Sequence, residues 1–169
     1  MRSILKILAF LYGFLFPFLG HASDLPTPKG EVILTIDGNV GARNVGNAAT
    51  FDIEMLQALE VKTYETHTPW SDHMYRFKGP TLESILKAVR FEEGQTLTLY
   101  ALDGYQTDLN WKDATEFKPI LAYSRNNVPM SRRDRGPLWL IFPYDTHEEL
   151  KDARYDNFWV WQVYRIEVK

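Results

Sequence analysis

Between residues 32 and 168 the chain is written in short apolar runs with polar breaks. Val32-Ile33-Leu34-Thr35-Ile36 is mostly β-branched and predicts a strand. Gly38 to Asn47 holds three glycines and reads as loop. Asp52 stands where it would cap a short helix with Met55, Leu56 and Leu59 on one side. Thr81 follows Gly79-Pro80, and Leu82, Ile85, Leu86 and Val89 recur at helical spacing. Beyond this helix the period changes to two. Thr96 to Leu102 alternates, Asp103-Gly104 is a turn, and Gln106 to Leu109 returns as the partner strand. Ile120 to Ser124 and Leu138 to Phe142 predict two more strands. Phe158 to Val168 predicts the strongest one, with Trp159, Trp161 and Val163 on one face and Gln162 interrupting the other. The segment around His67, Pro69 and His73 reads as loop. The fold class expected is one α+β domain over residues 31–169, mostly β, with short helices and no repeats.

Residues 1–22 have a different pattern. Arg2 and Lys6 precede a nearly continuous apolar run from Ile7 to Leu19, and Gly20-His21-Ala22 ends in small residues. That is the form of a cleaved secretory signal, and the run is short for a membrane span. Residues 23–30 read as a flexible lead-in rich in Pro and Gly. The expectation is a periplasmic protein with no membrane insertion after cleavage. Loss of Arg2 and Lys6 would take the net charge from −3 to −5. An acidic chain with no basic stripe is not expected to bind nucleic acid.

Composition removes further chemistry. The chain contains no cysteine, so disulfides, thiolate metal sites and cysteine nucleophiles are excluded. The glycine loop lacks the endings and spacing of a phosphate loop. His67, Asp72 and His73 lie close together, but His147 is the one other histidine after the leader, and no metal site is expected. No Gly-x-Ser-x-Gly elbow exists for a serine hydrolase. The run Arg132-Arg133-Asp134-Arg135 is either a solvated loop or the source of one guanidinium turned into a site. Trp70, Tyr105, Trp139 and Tyr144 fall in or beside loops, where pockets form.

Several of these pieces together resemble the sulfite oxidase fold. Phe77-Lys78-Gly79-Pro80-Thr81-Leu82-Glu83-Ser84-Ile85-Leu86 is similar to that family's aromatic-x-Gly-x-x-Leu-x-x-Leu-Leu segment. Asp103-Gly104-Tyr105, Gly136-Pro137-Leu138-Trp139-Leu140-Ile141 and Trp161-Gln162-Val163-Tyr164-Arg165-Ile166 resemble its later signatures in the same order. The resemblance implies a molybdopterin-binding fold, in which one Cys before the Gly-x-x-Leu helix holds the metal. Here that position falls at about His67. The combination of small size, secretion and no Cys resembles the PruR-type pterin-binding proteins. It implies a non-catalytic sensor for a free pterin, with no obligatory cofactor and no metal. The implied partner is the periplasmic domain of an inner-membrane enzyme of the GGDEF/EAL kind, which makes or degrades cyclic di-GMP. On this resemblance Asp156 would hold the 2-amino-4-oxo edge and Trp70 would stack on the ring. Trp139 matches a position usually filled by Arg, and Tyr105, Arg135, His67 and Asn157 complete the expected pocket. The alternative is a molybdopterin-dependent oxidoreductase of the sulfite oxidase type with a non-Cys metal ligand.

Overall fold

The structure, a computed structural model, describes residues 25–92 and 96–169. The leader and the first two residues of the lead-in lie outside the described residues. The order of elements is β1 (Leu34–Gly38), β2 (Ala49–Phe51), α1 (Ile53–Gln57), β3 (Val61–Thr68), β4 (Ser71–Pro80) and α2 (Leu82–Ala88). There follow β5 (Thr96–Ala101), β6 (Gln106–Asn110), α3 (Trp111–Glu116), β7 (Ile120–Ala122), β8 (Ser124–Arg125), β9 (Val128–Pro129), β10 (Trp139–Ile141) and β11 (Val163–Val168). The α+β, mostly-β class is as expected. Short 3-10 turns at 132–134, 144–146, 148–151 and 153–158 fill the connections.

One sheet runs β2-β1-β11-β5-β6, with β1 parallel to β11 and the other pairs antiparallel. A second runs β3-β4-β8-β9, and β10 pairs with β7 between them. Leu34, Ile36, Leu97, Leu99 and Ile166 of the sheet share one fully buried core with Leu82, Ile85 and Leu86 of α2. Apolar burial of this kind contributes roughly 1.5–3 kcal/mol per large side chain. Both predicted helix caps are present. Asp52 accepts from the Met55 N–H at 2.9 Å, and Thr81 accepts from the Ser84 N–H at 3.1 Å. The Gly of the Gly-x-x-Leu segment has a packing reason. A Cβ at Gly79 would collide with the Leu121 carbonyl oxygen and the Ala122 backbone, so only glycine lets β4 lie this close to β7.

Three expectations change. The segment around His67 and His73 is not loop but the long β3–β4 hairpin, with Pro69-Trp70 at its tip. Pro69 costs no ladder bond there, because it sits in the turn. The strand expected over Phe158–Val168 starts only at Val163. Residues Ala153–Phe158 are 3-10, and Gln162 adopts φ 56°, a left-handed conformation that breaks an extended run. A register shift against β5 follows between Val163 and Arg165. Val163, Ile166 and Val168 are consequently buried while Tyr164 faces solvent. Finally, the described part of the lead-in, residues 25–30, is held by hydrogen bonds. Asp52 accepts from the N–H groups of Lys29 and Gly30 at 2.7 and 2.9 Å, and Asn44 donates to the Pro26 carbonyl at 2.8 Å.

Candidate functional site

Four segments meet at one end of the two sheets: the β3–β4 tip, the β5–β6 turn, residues 131–139, and the 3-10 turn that runs into β11. The β5–β6 turn is built by Asp103, whose Oδ1 accepts from the Tyr105 N–H at 2.9 Å, and by Gly104 at φ 89°. Asp103 Oδ2 also accepts from the Trp161 indole N–H at 3.4 Å, and the Tyr105 hydroxyl donates to the Asn157 carbonyl at 3.1 Å. Those two bonds fix the turn against residues 157–161.

Between these segments lies a pocket of about 330 Å³ lined by Trp70, Asp103, Tyr105, Asp156, Asn157, Trp159, Val160 and Trp161. Trp70 stands edge-on to Trp159 at 6.4 Å and to Trp161 at 5.5 Å between ring centroids. Trp70 and Tyr105 are each 43% exposed, so two large aromatic faces remain available at the pocket mouth. Trp159 is buried, and its indole N–H has no hydrogen-bond partner among the described residues. Asp156 lines the same space, and its carboxylate has no hydrogen-bond or ion-pair partner among the described residues.

A smaller chamber of about 140 Å³ adjoins it, sharing Trp70. Thr68, Ser71, Tyr75, Arg125, Arg135 and Trp139 line the rest. Arg135 follows the 3-10 turn at 132–134 in a left-handed conformation, φ 70°. Its guanidinium carbon lies 4.7 Å from the Trp139 ring centre, 5.0 Å from Trp161 and 5.8 Å from Trp70. Burial, and secondarily the neighbouring Arg125 charge, lower its pKa from the ordinary value.

The expected site residues therefore divide. Trp70, Tyr105, Asp156 and Asn157 line the larger pocket, and Arg135 and Trp139 line the smaller. Trp139 is 2% exposed, packs edge-on against Phe77 at 5.3 Å, and donates its indole N–H to the Trp159 carbonyl at 3.2 Å. It acts as floor more than platform. His67 lines neither pocket. Its Nδ1 lies 3.0 Å from Asp145 Oδ1, and its backbone N–H donates to Asp145 Oδ2 at 2.8 Å. Partial burial would raise the Asp145 carboxyl, but these bonds and one from the Thr66 hydroxyl outweigh it and hold its pKa below the ordinary value. Tyr144, a candidate wall in the sequence, packs behind the pocket on Trp159 at 5.7 Å.

Asp103, Trp159, Trp161, Thr68 and Arg125 were not anticipated as lining residues. Trp159 and Trp161 alternate with Val160 and read as strand, which concealed the 3-10 turn that aims them. Asp103 was legible only as a turn former.

The arrangement is suited to a flat heterocycle. Indole and phenol faces stack on rings, and a bare carboxylate accepts a pair of parallel N–H donors. It does not suit a thiolate-held metal. The chain has no Cys to supply the sulfur. The described residues contain no group of three or more His, Asp or Glu placed to hold an ion.

Comparison with known proteins agrees with the fold. The oxidoreductase molybdopterin binding domain matches residues 33–146, more than half of the chain. Among solved structures the chain is similar to the sulfane dehydrogenase SoxCD from Paracoccus pantotrophus, at 17% identity and a TM-score of 0.58. That likeness covers 80% of this chain and only 37% of the SoxCD chain. At such identity it speaks for the fold alone. No curated protein sequence matches the chain. The family match ends before Asp156, Trp159 and Trp161, so one wall of the larger pocket lies beyond it.

Proposed function

The chain belongs to the oxidoreductase molybdopterin-binding domain family, and from that premise we propose that it is a non-catalytic pterin sensor. A free pterin occupies the 330 Å³ pocket, with its amino-oxo edge on Asp156 and its ring against Trp70 and Trp161. The protein works in the periplasm, and the occupied state is passed to the periplasmic domain of an inner-membrane enzyme of cyclic di-GMP turnover. One observation carries the reading: Asp156, whose carboxylate has no partner among the described residues, lines a pocket walled by indoles, in a molybdopterin-binding fold whose sequence has no cysteine. Trp70 and Tyr105, half exposed at the mouth, give bound ligand a route to change the outer surface.

A second reading, an oxidoreductase that holds molybdopterin through a non-Cys ligand, has one observation in its favour. Asp145 on Nδ1 of His67 orients the imidazole in the way carboxylates orient metal-binding histidines. His67 lies outside both pockets, however, which weighs against it. Titration of the protein with a pterin, followed by tryptophan emission and thermal shift, tests the first reading. Saturable quenching with a raised melting midpoint is expected. No change in either signal at saturating pterin would defeat it.

A further inference from the structure

A hollow of about 460 Å³ lies on the second sheet and shares no lining residue with the two chambers described above. α1 borders it through Ile53 and Gln57, and the β8–β9 hairpin through Asn127 and Pro129. The ladder fixes its floor. Lys78 of β4 and Ser124 of β8 are register partners, and Ser124 is also opposite Pro129 of β9, so the three side chains stand on one face of the sheet. Phe77, the neighbour of Lys78, is buried on the other face. The hairpin is held in place. Asn126 and Asn127 are both left-handed, at φ 52° and 65°, as a two-residue turn requires. The Asn126 N–H donates to the Arg76 carbonyl at 2.7 Å, and its side-chain oxygen accepts from the Arg76 N–H at 3.0 Å.

The polar groups of this hollow lack partners. Ser124 is 6% exposed and Tyr123 is 8% exposed, and neither hydroxyl has a hydrogen-bond partner among the described residues. A hydroxyl taken out of water without a partner is costly. Neither oxygen is sealed off as that of Thr68 is, so a group that fills the hollow can satisfy them. Burial raises the pKa of the Tyr123 phenol above its ordinary value, which keeps it a neutral donor. Lys78 makes no ion pair, and the side-chain amides of Gln57 and Asn127 make no hydrogen bond, among the described residues. No acidic residue lines the hollow. One ammonium, two hydroxyls and two carboxamides thus share a space that offers no carboxylate to answer the charge.

We propose that this hollow is a second ligand site, for a small hydroxylated carboxylate of the sugar-acid kind. Lys78 takes the carboxylate, and the charge-assisted bond is the stronger contact. A single ammonium matches a monoanion; a phosphate dianion would bring a charge that no second cation among the lining residues answers. The Ser124 and Tyr123 hydroxyls and the two carboxamides take the ligand's hydroxyls, since each of these groups both donates and accepts. Ile53, Val61 and Pro129 supply apolar contact for the carbon chain. The site is independent of the pterin reading, because the two share no residue.

The test is calorimetry of the protein with D-gluconate, set against D-glucitol, which has the hydroxyls without the charge, and acetate, which has the charge without the hydroxyls. Gluconate should bind roughly tenfold tighter than either. Lys78→Gln should remove the margin over glucitol, and Lys78→Arg should keep part of it. Ser124→Ala and Tyr123→Phe each delete one hydroxyl and should each weaken gluconate about threefold. Thermal unfolding without ligand checks that each variant is folded. The methyl glycoside of glucuronate separates the sources: binding equal to gluconate points to a sugar-acid unit of a longer saccharide, weaker binding points to a free acid, and either keeps the site. Absence of gluconate binding, gluconate no tighter than glucitol or acetate, a margin untouched by Lys78→Gln, or an affinity unmoved by both hydroxyl variants overturns the proposal and leaves the pterin reading standing.

Discussion

Replacing Asp156 by Asn keeps the shape of the side chain and removes its charge, and two quantities should then part company. The Asp156 carboxylate makes no hydrogen bond or ion pair with other described residues, while its backbone carbonyl accepts from the Trp159 N–H at 3.4 Å. The 3-10 turn that contains it is capped by Asp152, which accepts from the Arg154 N–H at 2.9 Å. Folding stability should therefore move by no more than about 0.5 kcal/mol, as for a surface substitution away from special features. Ligand affinity should fall much further. Hydrogen bonds to a charged acceptor contribute roughly 1.5–3 kcal/mol. The pocket mouth is open at Trp70 and Tyr105, so a value near the lower half of that range applies, about 2 kcal/mol. That corresponds to roughly 30-fold in Kd. Tryptophan-quenching titrations with a pterin measure the second quantity, and thermal or urea unfolding without ligand measures the first. Unchanged affinity would clear Asp156 of its role. A large loss of stability would mean that the carboxylate is a structural group and that the affinity change cannot be read as a contact.

Other perturbations separate structural from binding residues. Gly79→Ala should destabilise by about 1–3 kcal/mol or more, because the new methyl meets the backbone of β7; urea unfolding with an unshifted midpoint would show that β4 can retreat. His67→Ala should cost less than about 1 kcal/mol, since the Asp145 pair is a third exposed, and should leave pterin affinity as it is; a large fall in affinity would bring His67 back into the site. Asp52 is held below the ordinary carboxylate range by backbone N–H groups, from Gly30 first and then Met55, against the opposing effect of burial. A depressed folded pKa gives stability that is complete above the unfolded value near 3.9 and is lost as pH falls through the folded value. The melting midpoint of the wild type should therefore drop with acid below about pH 4 more steeply than that of Asp52→Asn; parallel curves would refute this.

Local signals in the sequence were enough for the elements with strong periodicity. α2 has its cap, its apolar stripe and its preceding Gly-Pro, and β5–β6 has an Asp-Gly turn between alternating runs. The β3–β4 hairpin was not legible, because Lys62, Glu65, His67, Asp72 and His73 give its exposed faces the composition of a loop. Its strand character rests on pairing across the hairpin, a non-local property. The region from Ala153 to Trp161 failed in the opposite way. Its aromatic alternation imitates a strand, while the left-handed Gln162 and its neighbour Val163 are held by Arg135 and Leu138, whose carbonyls accept from the Gln162 and Val163 N–H groups, and the 3-10 turn before them is capped by Asp152. Trp70 and Asp156 could be named from the family resemblance. The roles of Trp159 and Trp161 depend on that turn and could not.

Pulling the protein from its native host and identifying what it carries is the most direct test. Mass spectrometry of the extracted small molecules, with metal analysis on the same sample, should give a pterin in near-stoichiometric amount and no molybdenum. Stoichiometric molybdenum with molybdopterin would contradict the account and return the chain to redox chemistry.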